Sequence, residues 1–259
     1  MQTKHLKPNP EVAAFVEWIL VIEDGLLTVP FALPLFANGT PTLLFISAKG
    51  SIANKPAAHL TLFGQTVLPD TLTIHEGFEL IAYFFKPHSL TSIFGIMPPE
   101  LTDQPIDLYL LSSKKTTTLE DQLLNANSTV TRIGLLDHFI TGLMANAKGD
   151  CPIVQYAANK IQHQPSPEIL KEIQKELHLT ERTFQRLFEK NIGLAPNLYR
   201  RVCQFNSAFV QLNNRKYNKL SDLALENGYA DQSHYIRSFK EFTHLLPSEY
   251  LSLGEPSRQ

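Results

Sequence analysis

The stretch Leu223-Ala224-Leu225-Glu226-Asn227-Gly228-Tyr229-Ala230-Asp231-Gln232-Ser233-His234-Tyr235-Ile236-Arg237-Ser238-Phe239-Lys240 holds two short helical patterns around a glycine. Leu220, Leu223 and Ala224 share one face of the first helix. Asn227-Gly228 ends it, because glycine adopts the left-handed conformation that closes a helix at no steric cost. Asp231 is placed to cap the next helix, predicted over residues 232–242, by accepting from an amide of the first turn. Tyr235, Phe239 and Phe242 point inward on that helix, while Gln232, Ser233, His234, Ile236, Arg237 and Lys240 point outward. A short helix, a tight turn and a second helix with a polar outer face make a helix-turn-helix unit.

Upstream, Leu198, Val202, Phe205, Phe209 and Leu212 step by four and three residues, the single apolar stripe of one continuous helix. Before that helix the unit recurs. Ile169, Leu170, Ile173 and Leu177 line a helix over 167–177, Thr180 is a second N-cap, and Phe184, Leu187 and Phe188 turn inward over 181–190. Arg182, Thr183, Gln185, Arg186 and Glu189 lie on its other faces. Two such units on one spacer helix could enter successive major grooves about one turn of DNA apart.

These residues resemble the signature of the AraC/XylS family of transcription regulators. The resemblance rests on 223–240 with the tail Pro247-Ser248-Glu249-Tyr250, and on Leu179-Thr180-Glu181-Arg182-Thr183-Phe184-Gln185-Arg186-Leu187-Phe188 followed by Gly193, Pro196 and Tyr199. It implies sequence-specific binding of a double-stranded DNA operator, with RNA polymerase as a further partner. Arg182, Thr183, Gln185 and Arg186 then face bases or phosphates from the first unit, and Gln232, Ser233, His234, Ile236 and Arg237 from the second. Arginine pairs bidentately with guanine and glutamine with adenine, and an isoleucine can meet a thymine methyl. Arg200, Arg201 and Lys240 are expected on phosphates, which position the protein without reading sequence. His234 has an equal claim to a capping or packing role near Asp231. The chain departs from the family pattern at Gln174, at His178 in the first turn, at Gln204 on the connecting helix and at His244.

The first hundred or so residues carry a different pattern. Leu43-Leu44-Phe45-Ile46 and Leu80-Ile81-Ala82-Tyr83-Phe84-Phe85 are short aromatic and β-branched runs, bracketed by Asn38-Gly39, Lys49-Gly50, Pro69-Asp70, Glu76-Gly77 and Lys86-Pro87. Residues 12–22 fit either an opening strand or a short helix. From about Thr118, Leu119, Leu123, Leu124, Ile133, Leu136, Phe139, Ile140 and Leu143 recur at helical spacing, and Lys148-Gly149-Asp150 before Pro152 marks a break. The expected organisation is α+β: residues 1–111 as a small, cupin-like β-barrel sensor, 112–150 as a helical linker that leaves a homodimer open, and 151–259 as the all-α double helix-turn-helix domain. Residues 34–45 and 94–104 resemble a sensor found on a subset of the family, which implies an unidentified small-molecule effector. Residues 118–147 are expected to pack on the barrel, on the DNA-binding domain or on a second subunit.

Composition bounds the alternatives. The 259 residues are 43% hydrophobic and 19% charged, with a formal net charge of −2. A near-neutral chain does not coat polyanions in bulk, so DNA contact must come from the placement of a few groups. Cys151 and Cys203 are the only cysteines and make no disulfide framework. No run reaches the ~18–20 apolar residues that span a bilayer, and no secretory signal opens the chain, so a cytoplasmic protein without membrane contact is expected. His59, His75 and His88 are scattered, and no GxSxG, HExxH or phosphate loop occurs. No enzyme activity, cofactor or metal is therefore expected. A metalloenzyme of the cupin type is one rival reading. A protein-interaction regulator with a partly degenerate first unit is the other.

Overall fold

Alternation along the strands organises the N-terminal half. The computed structural model describes residues 1–111, 113–147, 149 and 151–253. Its strands are β1 (Gln2–Leu6), β2 (Val16–Asp24), β3 (Phe31–Leu35), β4 (Thr42–Ile46), β5 (Gly50–Ile52), β6 (Lys55–Ala57), β7 (Leu60–Phe63), β8 (Asp70–Ile74), β9 (Phe78–Phe85) and β10 (Ile106–Asp107). They form two antiparallel sheets, in the orders β1-β2-β9-β4-β7-β10 and β3-β8-β5-β6. The expected barrel is thus an open pair of sheets, with no ladder among the described strands closing one onto the other. Residues 12–22 resolve as a turn followed by β2.

Successive side chains of a strand point to opposite faces, and the larger sheet buries both. Leu43, Phe45, Ile81, Tyr83 and Phe85 join one core, while Leu44, Ile46, Leu80, Ala82 and Phe84 join the other. That is why β4 and the end of β9 read as unbroken apolar runs. The second core lies between the sheets, with Leu72 and Ile74 of β8 opposite. The first is covered by α1 (Ser113–Asn125) and α2 (Thr129–Met144), through Leu119, Leu123, Leu136 and Ile140. Helix α1 begins ahead of the expected change of pattern at Thr118. Polar ties hold α2 in place: Arg132 pairs with Glu79 at 2.7 Å, and Tyr83 donates to Asp137 at 2.9 Å. Of the expected break, Lys148 and Asp150 lie outside the described residues.

The remaining helices are α3 (Pro152–His163), α4 (Ile169–Glu176), α5 (Glu181–Ile192), α6 (Pro196–Asn213), α7 (Leu220–Glu226), α8 (Gln232–Thr243) and α9 (Pro247–Leu253). They share one core, in which Phe184, Phe188, Phe205, Phe239 and Phe242 are all buried. Each such ring removes enough apolar surface to contribute about 2–3 kcal/mol. Helix α6 runs unbroken through Val202, Phe205 and Leu212, as its stripe predicts.

Besides the hydrogen bonds from Gln162 of α3 to Glu17 of β2, two contacts dock the N-terminal domain on this core. Ala37 is buried in it, Phe36 packs edge-on against Phe209 with ring centroids 5.5 Å apart, and Gly39 lies beside Tyr199, Val202 and Cys203. The second contact brings the short 3-10 turn Pro98–Leu101 against Gly193, just past the end of α5.

Candidate nucleic-acid interface

Both predicted caps form. The Thr180 hydroxyl accepts from the Thr183 amide at 3.3 Å, and the Asp231 carboxylate accepts from the His234 amide at 2.7 Å. Gly228 takes φ +73°, the left-handed closure expected of it. The first unit has no glycine at its turn, and His178 takes that conformation itself at φ +52°. These local devices set which face each second helix presents.

On α5, Arg182, Thr183, Gln185 and Arg186 are all exposed, opposite the buried Phe184 and Phe188. Arg182 and Arg186 have no intramolecular partner among the described residues. Gln185 instead holds Glu189 at 3.0 Å, and Thr183 is engaged by its own cap. On α8, Gln232, Ser233, His234, Arg237 and Lys240 are exposed and Ile236 is half-buried. The His234 ring stands edge-on to Tyr229 at 5.2 Å, which favours its packing role.

Arg200 and Arg201 depart from this outward set. The Arg200 guanidinium donates to the Pro165 carbonyl at 3.1 Å and to Gln204 at 3.0 Å, and burial pulls its pKa below the usual arginine range. Gln204 in turn donates to the Asn227 carbonyl at 3.0 Å. One chain of hydrogen bonds therefore runs from the loop before the first unit, across α6, to the turn of the second. Gln204 was legible only as a departure from the family pattern; its burial supplies the role. Arg201 pairs with Glu241 and lies over the Phe242 ring at 5.7 Å.

A cavity of about 730 Å³ opens beside this scaffold, between the two sheets and α6. Trp18 and Phe84 stack inside it at 3.7 Å with an interplanar angle of 5°. Asn206, Phe209, Val210 and Asn213 of α6 form the opposite wall. A β-bulge shapes the near wall: Val16 pairs with Phe85 but Trp18 pairs with Phe84, so Glu17 is the extra residue. The bulge lets Val16 and Ile19 share the helix-covered face while Glu17 and Trp18 both line the cavity, a re-aiming for which bulges are suited. Nothing in the sequence pattern announces this cavity, since its walls come from both domains. Among the described residues no three His, Cys, Asp or Glu side chains gather as a metal site. His59 is held to the Ile46 carbonyl at 2.7 Å.

Comparison with known proteins places both halves. Residues 173–252 match the family described as helix-turn-helix domain, and residues 4–107 match a domain of unknown function (DUF6597). An uncharacterized HTH-type transcriptional regulator of Haemophilus influenzae is 31% identical over 72 residues. The shared region spans 28% of this chain and only 24% of that relative's length. Among solved structures, ToxT of Vibrio cholerae O395 superposes with a TM-score of 0.51 at 11% identity, covering 97% of each chain. ToxT of strain SCE256 with an unsaturated fatty acid bound gives 0.50 at 13% identity, over 90% of this chain and 94% of that one. At such identities the likeness concerns the fold alone, a sheet-rich domain followed by a helical one. The helix-turn-helix match covers α5 to α9, where the caps, the turn glycine and the outward faces agree, so the C-terminal part of the chain is a helix-turn-helix domain.

Proposed function

We propose that this protein is a sequence-specific DNA-binding transcription regulator whose DNA affinity is gated by a small molecule held in the cavity between its domains. The first part is supported by the exposed, unpartnered Arg182 and Arg186 on one recognition helix and Gln232, Arg237 and Lys240 on the other. Arg182 and Arg186 offer the bidentate donors that read guanine, while Lys240 suits a phosphate. Arg200 is better assigned to holding the two units together than to DNA.

The observation that carries the gating is that α6 is at once the spacer between the recognition helices and a wall of the cavity. A molecule there touches the element that sets their separation. Its affinity must then differ between DNA-competent and incompetent arrangements, which is the condition for coupling. The fatty acid bound to ToxT agrees with an effector in this fold, without naming the one used here.

Selection of bound duplexes from random DNA tests the first part: a defined operator should emerge, and affinity should fall steeply with salt as phosphate counterions are released. Binding that is sequence-blind and indifferent to salt would instead support a protein-interaction regulator.

A further inference from the structure

Resting on the reading that the cavity holds the effector, we infer that this effector is an uncharged, largely apolar molecule with a ring and one hydrogen-bonding group, and that the cavity selects against carboxylates. The walls are apolar on the sheet side, where Leu44, Phe63, Leu80 and Ala82 surround the flat Trp18–Phe84 stack. Stacked rings offer a partner aromatic ring its preferred offset or edge contacts. Among the described lining residues there is no lysine or arginine, the one carboxylate is that of Glu17, and the His5 imidazole lies against Trp18 with ring centroids 5.4 Å apart. An anionic head group entering here loses its water, meets no lysine or arginine, and shares the wall with the like charge of Glu17.

Cations do lie nearby, but in a different cleft. Lys86 and Lys160 line a second cavity of about 730 Å³ against α3. The two cavities share only Glu17 and Gln162. Gln162 donates to both carboxylate oxygens of Glu17, at 2.9 and 3.2 Å, so hydrogen bonds hold the two shared residues together. Lys160 is moreover held by Glu176 at 2.6 Å.

Thr40 takes the hydrogen-bonding group by rotation about χ1, its hydroxyl otherwise lying buried behind the wall. Thr40 lines the cavity, is only 5% exposed, and its hydroxyl has no hydrogen-bond partner among the described residues. A buried hydroxyl without a partner carries a desolvation cost that a ligand hydroxyl would relieve.

Trp18 is the only tryptophan of the chain, so its emission reports on this cavity directly. The full-length protein is titrated with matched probes, 6-phenylhexanol against 6-phenylhexanoate and decanol against decanoate, at neutral pH. Saturable changes in Trp18 emission should show each alcohol binding about tenfold or more tightly than its acid. Thr40→Val should weaken the alcohols about fivefold, and Leu33→Lys, at the half-buried rim, should recover binding of the acids. Acids that bind the unaltered protein as tightly as the alcohols would overturn the charge selectivity while leaving the cavity as an effector site. Emission unchanged by every probe, with no thermal stabilisation, would overturn the effector site itself.

Discussion

The Thr102 hydroxyl donates to the Gly193 carbonyl at 3.1 Å, a hydrogen bond that joins the N-terminal domain to the residue closing α5. Gly193 sits at φ +93°, and a Cβ there would lie 2.9 Å from the Pro98 carbonyl oxygen. Gly193→Ala therefore meets both a left-handed backbone penalty and a clash with rigid main chain. We expect a loss of about 1–3 kcal/mol in thermal or urea unfolding. Thr102→Val, which removes only the hydrogen bond, should cost less. Equal stability of Gly193→Ala and the unaltered protein would mean that the two domains do not dock here.

Base reading and phosphate binding separate by mutation. Arg186→Ala should weaken operator binding by about 1–3 kcal/mol and relax sequence preference at one part of the site. Lys240→Ala should weaken all duplexes alike and lower the salt slope by about one. Competition binding against operator variants distinguishes the two. An Arg186→Ala protein with unchanged preference would remove α5 from base recognition.

His178 and His244 hold positions with φ of +52° and +59°. A left-handed conformation costs a residue with a Cβ roughly 1–2 kcal/mol, and glycine escapes most of it at some expense of chain entropy. His178→Gly and His244→Gly should each raise stability by about 0.5–1 kcal/mol in chemical denaturation. A fall in stability would show that the imidazoles make contacts that outweigh the strain.

The two thiols should differ in reactivity. Burial pushes the Cys203 thiol up to about 12, whereas Cys151 is half-buried. The thiolate is the nucleophile, so iodoacetamide on the native protein should label Cys151 and spare Cys203 until the chain unfolds. Because Cys203 lies against Gly39 at the domain contact, early labelling there would report that the domains separate in solution.

Arg132 and Glu79 are 14% and 13% exposed in their side chains. Removing one member of so buried a pair strands the other charge. Arg132→Ala should therefore destabilise the protein by about 3 kcal/mol, read as a lowered urea midpoint, with α2 loosening from the sheet.

Much of the C-terminal domain was legible because its determinants are local. Thr180, Asp231 and Gly228 act on the residues next to them, and Phe184, Phe239 and Phe242 keep the helical period whatever lies opposite. The roles of Arg200 and Gln204 were not legible, since exposure cannot be inferred for a polar residue whose partners are Pro165 and Asn227. The segments 34–45 and 94–104 stood out only by resemblance. Folding brings parts of both, Phe36 to Gly39 and Pro98 to Thr102, to the contact between the domains.

What the sequence by itself determined is the helix-turn-helix pair, its caps and its outward faces, because capping and periodicity act over a few residues. The tertiary structure alone decided that the strands form two open sheets, that α1 and α2 cover one of them, and that Trp18 meets Phe209 across a cavity. Register, sheet closure and cavity walls depend on residues far apart in the chain, in the cavity as far as His5 and Tyr250, and no local pattern encodes which of them will meet.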